Sequence, residues 1–174
     1  MIQKYSIGLF LTSLILFSLL SGNVQAQTTV PADFGAKGAL QDTSITMEEA
    51  LVYAIQDEYL AQARYDAIIS KFGSIRPFSN IKAAEQRHIT ALLSLFQKYN
   101  VKIPADTAKQ YVSAPATLKE AFQQGVDGEI DNIAMYNKLA ATPALPQDVK
   151  LVFTQLGDAS KNHLQAFRRG LSSN

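Results

Sequence analysis

The chain has 174 residues, a formal net charge of +1, 47% hydrophobic residues, two histidines and no cysteine or tryptophan. This length suits a single domain with a substantial hydrophobic core. Because 16 Lys and Arg side chains balance 15 Asp and Glu, nothing in the composition predicts a nucleic acid or an anionic membrane surface as a partner. The lack of cysteine excludes disulfides, thiolate-ligated metals and a cysteine nucleophile.

The amino terminus has the pattern of an export signal. Lys4 precedes an uncharged, mostly apolar run at 7–20, and small residues at Val24 and Ala26 follow it. The run is too short to cross a bilayer comfortably, so we expect residues 1–26 to be cleaved and the protein to be periplasmic or extracellular, without a stable membrane anchor. An uncleaved anchor is the alternative.

The rest of the chain predicts four helices. Residues 27–45 contain Pro and Gly without a hydrophobic period, which predicts a flexible tether. Capping boxes are predicted where Thr46 precedes Glu49 and where Thr117 precedes Glu120. The predicted helices cover residues 46–71, 78–99, 116–142 and 146–170, within a domain of residues 46–171 followed by a short tail, 172–174.

The lengths of the connections predict how the helices are arranged. The first and second helices, and the third and fourth, are joined by short turns, so each pair should form an antiparallel hairpin. The stretch 100–116, with Pro104 and Pro115, can extend over about 50 Å, which is enough to run the length of a bundle. We therefore predict an all-α four-helix bundle made of two hairpins joined by a long crossover.

Each predicted helix has polar residues in the middle of its otherwise apolar seam. Burying an ionised carboxylate costs several kcal/mol unless a counter-charge lies close, so the seam glutamates need partners that two histidines cannot fully supply. Divalent metal ions would supply that charge. The candidate ligands are Glu58 in the first helix, Glu85 and His88 in the second, Glu129 in the third and His163 in the fourth.

Taken singly, each of these residues has a plainer interpretation. A seam misread by one residue would turn the acid to water, and Glu85 with His88, three residues apart, would form a local ion pair. An internal repeat favours the metal site, because both hairpins carry similar residues at matching depths. An offset of 71 superposes Glu58 and Tyr65 on Glu129 and Tyr136, and an offset of 75 superposes His88 on His163.

The segments at 57–61, 84–88 and 159–164 resemble the ferritin-like superfamily of ferritins and rubrerythrins, and most of all a domain-of-unknown-function branch of it. The resemblance covers about residues 46–171. It implies that Glu58 and Glu129 bind metal and that Glu85 and His88 form the Glu-x-x-His motif of the second helix. In the fourth helix only His163 matches, because Ser160 stands where the family has its second bridging glutamate.

The serine leaves two metal stoichiometries open. Three carboxylates would balance only three of the four positive charges of a diferrous pair, and one bridge is missing. Ser160 could hold a water or hydroxide in the vacant place and leave an open coordination position. We expect two iron ions, with a single ion as the alternative; manganese or zinc could replace iron.

Other seam residues could support the centre. Tyr65 and Tyr136 lie two turns after Glu58 and Glu129, where they would either hydrogen-bond the centre or simply be core tyrosines. Gln62 lies on the same seam as Glu58. The predicted third helix contains Gly125 and Gly128, which indicate close helix approach or local unwinding near the centre.

The resemblance implies oxidation of ferrous iron by dioxygen or peroxide, or reductive removal of peroxide. Electrons must come from outside, because a rubredoxin-type iron centre needs cysteine. The expected partners are metal ions and dioxygen or peroxide; a homodimer is left open, and no catalytic residue is assigned. The alternative function is a non-catalytic envelope protein with one structural ion or none, acting in stress tolerance or protein interaction.

Overall fold

A computed structural model of the chain describes residues 29–173, so the predicted signal at 1–26 lies outside the described residues. Across this range no helix has the length and apolarity needed to cross a membrane. A short 3-10 helix, Ala108–Tyr111, lies in the crossover. The α-helices are α1 (Gly35–Gln41), α2 (Met47–Phe72), α3 (Phe78–Lys98), α4 (Leu118–Ala141) and α5 (Gln147–Ser173).

The two predicted capping boxes start α2 and α4. Thr46 accepts from the Glu49 backbone amide while the Glu49 carboxylate accepts from the Thr46 amide, and Thr117 and Glu120 repeat the arrangement. Each box satisfies amides that the first helical turn leaves without a partner. The carboxyl end of α2 is set by Gly73, whose φ of 87° is readily adopted only by glycine.

Helices α2 to α5 form the predicted bundle, with α2 and α3 as one hairpin and α4 and α5 as the other. Two apolar clusters fill its interior. One includes Leu51, Leu92 and Phe153, and the other contains Phe78 and Phe167. Each such buried side chain contributes about 1.5–3 kcal/mol. Because both clusters exclude water, a polar layer between them has to satisfy its own charges.

Helix α1 corrects the prediction of a flexible tether at 27–45. It lies against α2 and α4, with Ala36 and Ala39 buried. Its first amides donate to α2 side chains: Gly35 N to Gln56 Oε1 at 3.1 Å and Ala36 N to Asp57 Oδ1 at 3.0 Å. The helix has only seven residues, two of them glycine, so it depends on these tertiary contacts, which the local sequence pattern does not reveal.

The carboxyl end also differs from the prediction. Helix α5 continues past Gly170 to Ser173, so residues 172 and 173 of the predicted tail are helical. A Cβ at Gly170 would collide with the ring of Phe122. This glycine therefore allows close packing of α5 on α4 instead of ending the helix.

Gly125 shows which of its two predicted roles applies. Helix α4 is continuous through it, and a Cβ there would lie 2.7 Å from the ring of Phe167 on α5. Gly128 likewise leaves room for the guanidinium of Arg64. Both glycines therefore permit close approach, and the alternative of local unwinding is wrong.

Candidate metal centre

Five polar side chains meet in the middle of the bundle, between the two apolar clusters. They come from all four bundle helices. Each lies on the face of its helix that points into the bundle, because positions three or four residues apart share one face. Each is less than one-tenth exposed to solvent. They are the five predicted ligands: Glu58, Glu85, His88, Glu129 and His163, with exposures of 0%, 3%, 7%, 3% and 9%.

Glu85 lies at the centre of this layer. Its Oε2 is 2.8 Å from His88 Nδ1, and its Oε1 is 3.2 Å from His163 Nδ1. His88 Nδ1 is also 3.3 Å from Glu58 Oε2, and His163 Nδ1 is 3.5 Å from Glu129 Oε1. The layer therefore consists of two groups of three ligands that share Glu85, and the ligand atoms within each group lie within 4.8 Å of one another.

The electrostatics favour protonated histidines while no metal is bound. Burial lowers the pKa of His88, but hydrogen bonds to Glu58 and Glu85 outweigh it and raise this pKa to about 10. Burial likewise lowers the pKa of His163, but the carboxylates of Glu129 and Glu85 raise it to about 9. The two imidazole rings stack with their centroids 5.6 Å apart, so protonation of both would bring like charges together.

The three carboxylates respond to the same environment in different directions. Burial, followed by the charge of Glu85, raises the pKa of Glu58 well above its usual value. Burial also raises the pKa of Glu129. At Glu85, burial acts upwards too, but the neighbouring imidazoles of His163 and His88 outweigh it and lower the pKa. Glu85 is thus the carboxylate most strongly held in its ionised form.

The residues present fit a metal ion. Although His163 Nδ1 lies near two carboxylates, it is buried without a hydrogen-bond partner among the described residues. An unpaired buried nitrogen is costly, and a divalent cation at this point would displace the proton of the imidazolium and bind the nitrogen in its place. Carboxylate oxygens together with imidazole nitrogens suit iron, manganese or zinc. Both groups of three could hold one such ion, with Glu58 and His88 on one side of Glu85 and Glu129 and His163 on the other.

Two buried tyrosines link the hairpins through the centre. Tyr65 of α2 donates to Glu129 of α4 at 2.8 Å, and Tyr136 of α4 donates through a short hydrogen bond to Glu58 of α2. Burial raises the pKa of both phenols well above 10. The tyrosines are therefore core residues, and their hydroxyl groups hold two of the candidate ligands in place. The sequence did not reveal that each tyrosine bonds the opposite hairpin.

Ser160 is buried, but its hydroxyl group is already engaged with protein atoms. It lies 2.5 Å from Asn132 Oδ1 and 3.0 Å from the Leu156 carbonyl oxygen. Asn132 in turn donates to Asp57 Oδ2 at 2.8 Å. Sequence reasoning missed Asn132, although its position three residues after Glu129 places it on the same face of α4 and could have indicated it.

Gln62 lies at the edge of the centre. It is half-buried, and its amide donates to Gln86 Oε1 at 2.9 Å, on the residue next to Glu85. No described contact joins it to a carboxylate of the centre. The structure therefore places Gln62 between α2 and α3, outside the two groups of candidate ligands.

The fold and this layer define a four-helix bundle with carboxylate and histidine side chains from facing helices that could hold a metal. The chain belongs to the rubrerythrin family, whose model matches residues 49–171, and this confirms the ferritin-like resemblance. It is 26% identical to the uncharacterised protein MJ0754 of Methanocaldococcus jannaschii, over 76% of this chain and 79% of that one. The crystal structure of the hypothetical protein MJ0754 has a TM-score of 0.65 to this chain, covering 76% and 84% of the two.

Proposed function

We propose that this protein binds two iron ions that share Glu85 and that it reduces dioxygen or peroxide there. The observation that carries the proposal is that two groups of three ligands share one carboxylate inside the bundle. The family supports this choice of metal, since rubrerythrins typically bind iron. Manganese or zinc would fit the same oxygen and nitrogen ligands.

The residues of the chain have distinct roles in this function. Glu58 and His88 would hold one ion, Glu129 and His163 the other, and Glu85 both. Ferrous iron held by these residues would supply the electrons for reduction of the oxidant. The tyrosines keep Glu58 and Glu129 in place, and the apolar clusters on either side exclude bulk water. Because the chain has no cysteine and so no rubredoxin-type iron centre, the electrons that restore ferrous iron would come from an external donor.

Anaerobic titration of the metal-free protein with ferrous iron, followed by air or peroxide, tests this proposal. We expect about two irons per chain and growth of a near-ultraviolet absorption band after the oxidant is admitted. The control is the same protein loaded with zinc, which cannot be oxidised. Binding of two irons without any spectral change would contradict the redox function but not metal binding.

A second candidate is a non-catalytic bundle with one structural ion or none. Ser160 favours it, because a serine replaces the expected second bridging carboxylate and its hydroxyl group is engaged with Asn132. In that case ferrous iron would bind at no more than one ion per chain and air would cause no spectral change. The absence of any metal-induced rise in thermal stability would indicate that no ion binds.

We further propose that this function is carried out outside the cytoplasm. The support is the charged start and apolar run within residues 1–26. Expression of the full chain in a bacterium, followed by fractionation and amino-terminal sequencing, should give a mature protein in the periplasm that begins near Gln27. Recovery of the intact chain from the cytoplasm would contradict export.

A further inference from the structure

A series of hydrogen bonds runs from the backbone of α1 through three buried side chains, Asp57, Asn132 and Ser160. We call this series the hydrogen-bond chain. The Ala36 amide donates to Asp57 Oδ1 at 3.0 Å, and Asn132 Nδ2 donates to Asp57 Oδ2 at 2.8 Å. The Ser160 hydroxyl donates to Asn132 Oδ1 at 2.5 Å. None of the three is a candidate ligand, but Asp57 directly precedes Glu58.

The positions of donors and acceptors allow only one direction of donation along this hydrogen-bond chain. Both carboxylate oxygens of Asp57 accept, one from the Ala36 amide and the other from Asn132 Nδ2, so the amide of Asn132 turns its nitrogen to Asp57. Its oxygen then faces Ser160, and the single hydroxyl hydrogen of Ser160 is drawn to it. The other acceptor near that hydrogen is the Leu156 carbonyl oxygen at 3.0 Å, which also belongs to the protein. The single hydroxyl hydrogen of Ser160 is thus engaged by protein acceptors, and only its lone pairs remain for a further hydrogen bond.

Ser160 lies close in sequence to a candidate ligand, so the orientation of its hydroxyl can affect the metal centre. It is fully enclosed in the bundle and one turn before His163 on the same face of α5. A water bound beside it can donate a hydrogen bond to its oxygen, whereas an anion without a hydrogen meets only lone pairs. The amide of Asn132 is a poor proton carrier, so the hydrogen-bond chain fixes the orientation of the Ser160 hydroxyl and does not conduct protons.

We propose that Asp57 and Asn132 are positioning residues that turn the Ser160 hydroxyl hydrogen away from the metal centre. The position beside Ser160 then favours ligands that donate a hydrogen bond, such as water, over anions that carry no hydrogen. This inference rests on the proposed metal-binding function, since it concerns the coordination position that Ser160 leaves open. It makes a buried aspartate outside the ligand set a determinant of which small molecules bind there.

Azide binding to the cobalt(II)-loaded protein tests the proposal, because azide accepts hydrogen bonds but has none to donate and cobalt reports it by visible absorption. In S160A the opposing lone pairs are gone, so azide should bind more tightly, by about threefold to tenfold. If Ser160 instead donates to the bound anion, S160A weakens azide binding, which would overturn the proposal. This variant replaces a hydroxyl with a hydrogen and should fold.

The variant D57N tests the direction of the hydrogen-bond chain, because asparagine has almost the same size as aspartate. The new amide can accept from Ala36 and donate to Asn132, which then rotates and presents its nitrogen to Ser160. The freed hydroxyl hydrogen is available to azide, whose charge makes it a stronger acceptor than the Leu156 carbonyl. We expect about tenfold tighter azide binding. The matched control is D131N, which makes the same charge change at an exposed residue next to Asn132.

Two further measurements separate this effect from a structural one. The D57N change should tighten azide binding much less in an S160A background, because without the hydroxyl only the loss of the Asp57 charge remains. In the metal-free protein, the side-chain amide protons of Asn132 should show nuclear Overhauser contacts to Asp57 in the wild type and to Ser160 in D57N. Equal azide affinities for D57N and D131N would refute the proposal. Failure of wild-type protein to bind either cobalt(II) or ferrous iron would refute the proposed function itself.

Discussion

Glu85 differs from the other two glutamates of the centre because its two oxygens lie beside different histidines. Glu58 is near His88 alone, and Glu129 is near His163 alone. Glu85 is also the carboxylate whose pKa is lowered, since the two neighbouring imidazoles outweigh its burial. At the scale of single residues the centre is therefore asymmetric, with one shared carboxylate and two that serve one side each.

Replacing each glutamate with glutamine should reveal this division. We expect E58Q and E129Q each to lose one of two ferrous ions, and E85Q to weaken both, because it removes the shared charge. Since loss of an outer hydrogen-bond partner already costs about 10–100-fold in metal affinity, loss of a ligand should cost at least about 100-fold. Anaerobic calorimetric titration measures both stoichiometry and affinity. Equal stoichiometries for E58Q and E85Q would contradict a shared Glu85.

The tyrosines should affect metal binding without being ligands. In Y136F the buried Glu58 loses a hydrogen-bond donor, which should destabilise the metal-free protein by about 1–3 kcal/mol and weaken binding of one ion by about 10–100-fold. The control is Y53F, because the Tyr53 hydroxyl donates to Asp42 at 3.0 Å, away from the centre. Urea unfolding and metal titration would follow the two effects. If Y53F and Y136F weaken metal binding equally, the role assigned to Tyr136 is wrong.

At the scale of elements, α4 carries two glycines that face different neighbours. A Cβ at Gly125 would meet the ring of Phe167, which is fully buried and packed against Tyr65 and Phe78. A Cβ at Gly128 would meet only the end of the Arg64 side chain. A ring enclosed by other rings cannot move aside, whereas a flexible arginine can.

The two alanine variants should therefore differ in their effect on stability. Alanine improves helix propensity by about 1 kcal/mol over glycine at either position. In G125A the collision with Phe167 should outweigh this gain and destabilise the protein by about 1–2 kcal/mol. In G128A Arg64 can shift, so stability should stay level or rise by up to about 1 kcal/mol. Thermal unfolding of the metal-free variants measures both changes, and a stabilised G125A would show that α4 and α5 are less closely packed.

For the whole molecule, the centre couples stability to pH. In the folded, metal-free protein the pKa of His88 is about 10 and that of His163 about 9, whereas both are near 6.5 in the unfolded chain. A raised pKa stabilises the fold fully below pH 6.5, and this stabilisation is lost as the pH rises through 9 and 10. The raised pKa values of Glu58 and Glu129 also make the stability fall as the pH rises, because the folded protein keeps their protons to a higher pH than the unfolded chain does.

The metal-free protein should consequently melt at lower temperature as the pH rises from 6.5 to 9.5, by at least about 5 °C. In the metal-loaded protein the ions take the place of the protons, so this decrease should be much smaller. Calorimetric scans of both forms across the pH range would measure it. A flat profile for the metal-free protein would show that its histidines are not paired with the glutamates.

Much of the fold could be predicted because helices are local structures. The capping residues Thr46 and Thr117 define where α2 and α4 begin, and the 3.6-residue period indicates which positions share a face. The internal repeat then brings Glu58 and Glu129 to the same depth. The prediction failed for α1, which depends on Asp57 and Gln56 of another helix, and at Gly170, which looked like a stop but allows close packing.

The sequence by itself determined the helical class, the hairpin pairing and the five polar residues that would face one another, because these follow from spacing along the chain. Only the tertiary structure decided which partner each side chain takes. Tyr65 and Tyr136 cross between hairpins, Ser160 turns to Asn132, and Asp57 joins α1 to the interior. Hydrogen bonds between helices depend on how the helices are rotated and how closely they approach, and no periodicity within one helix records that.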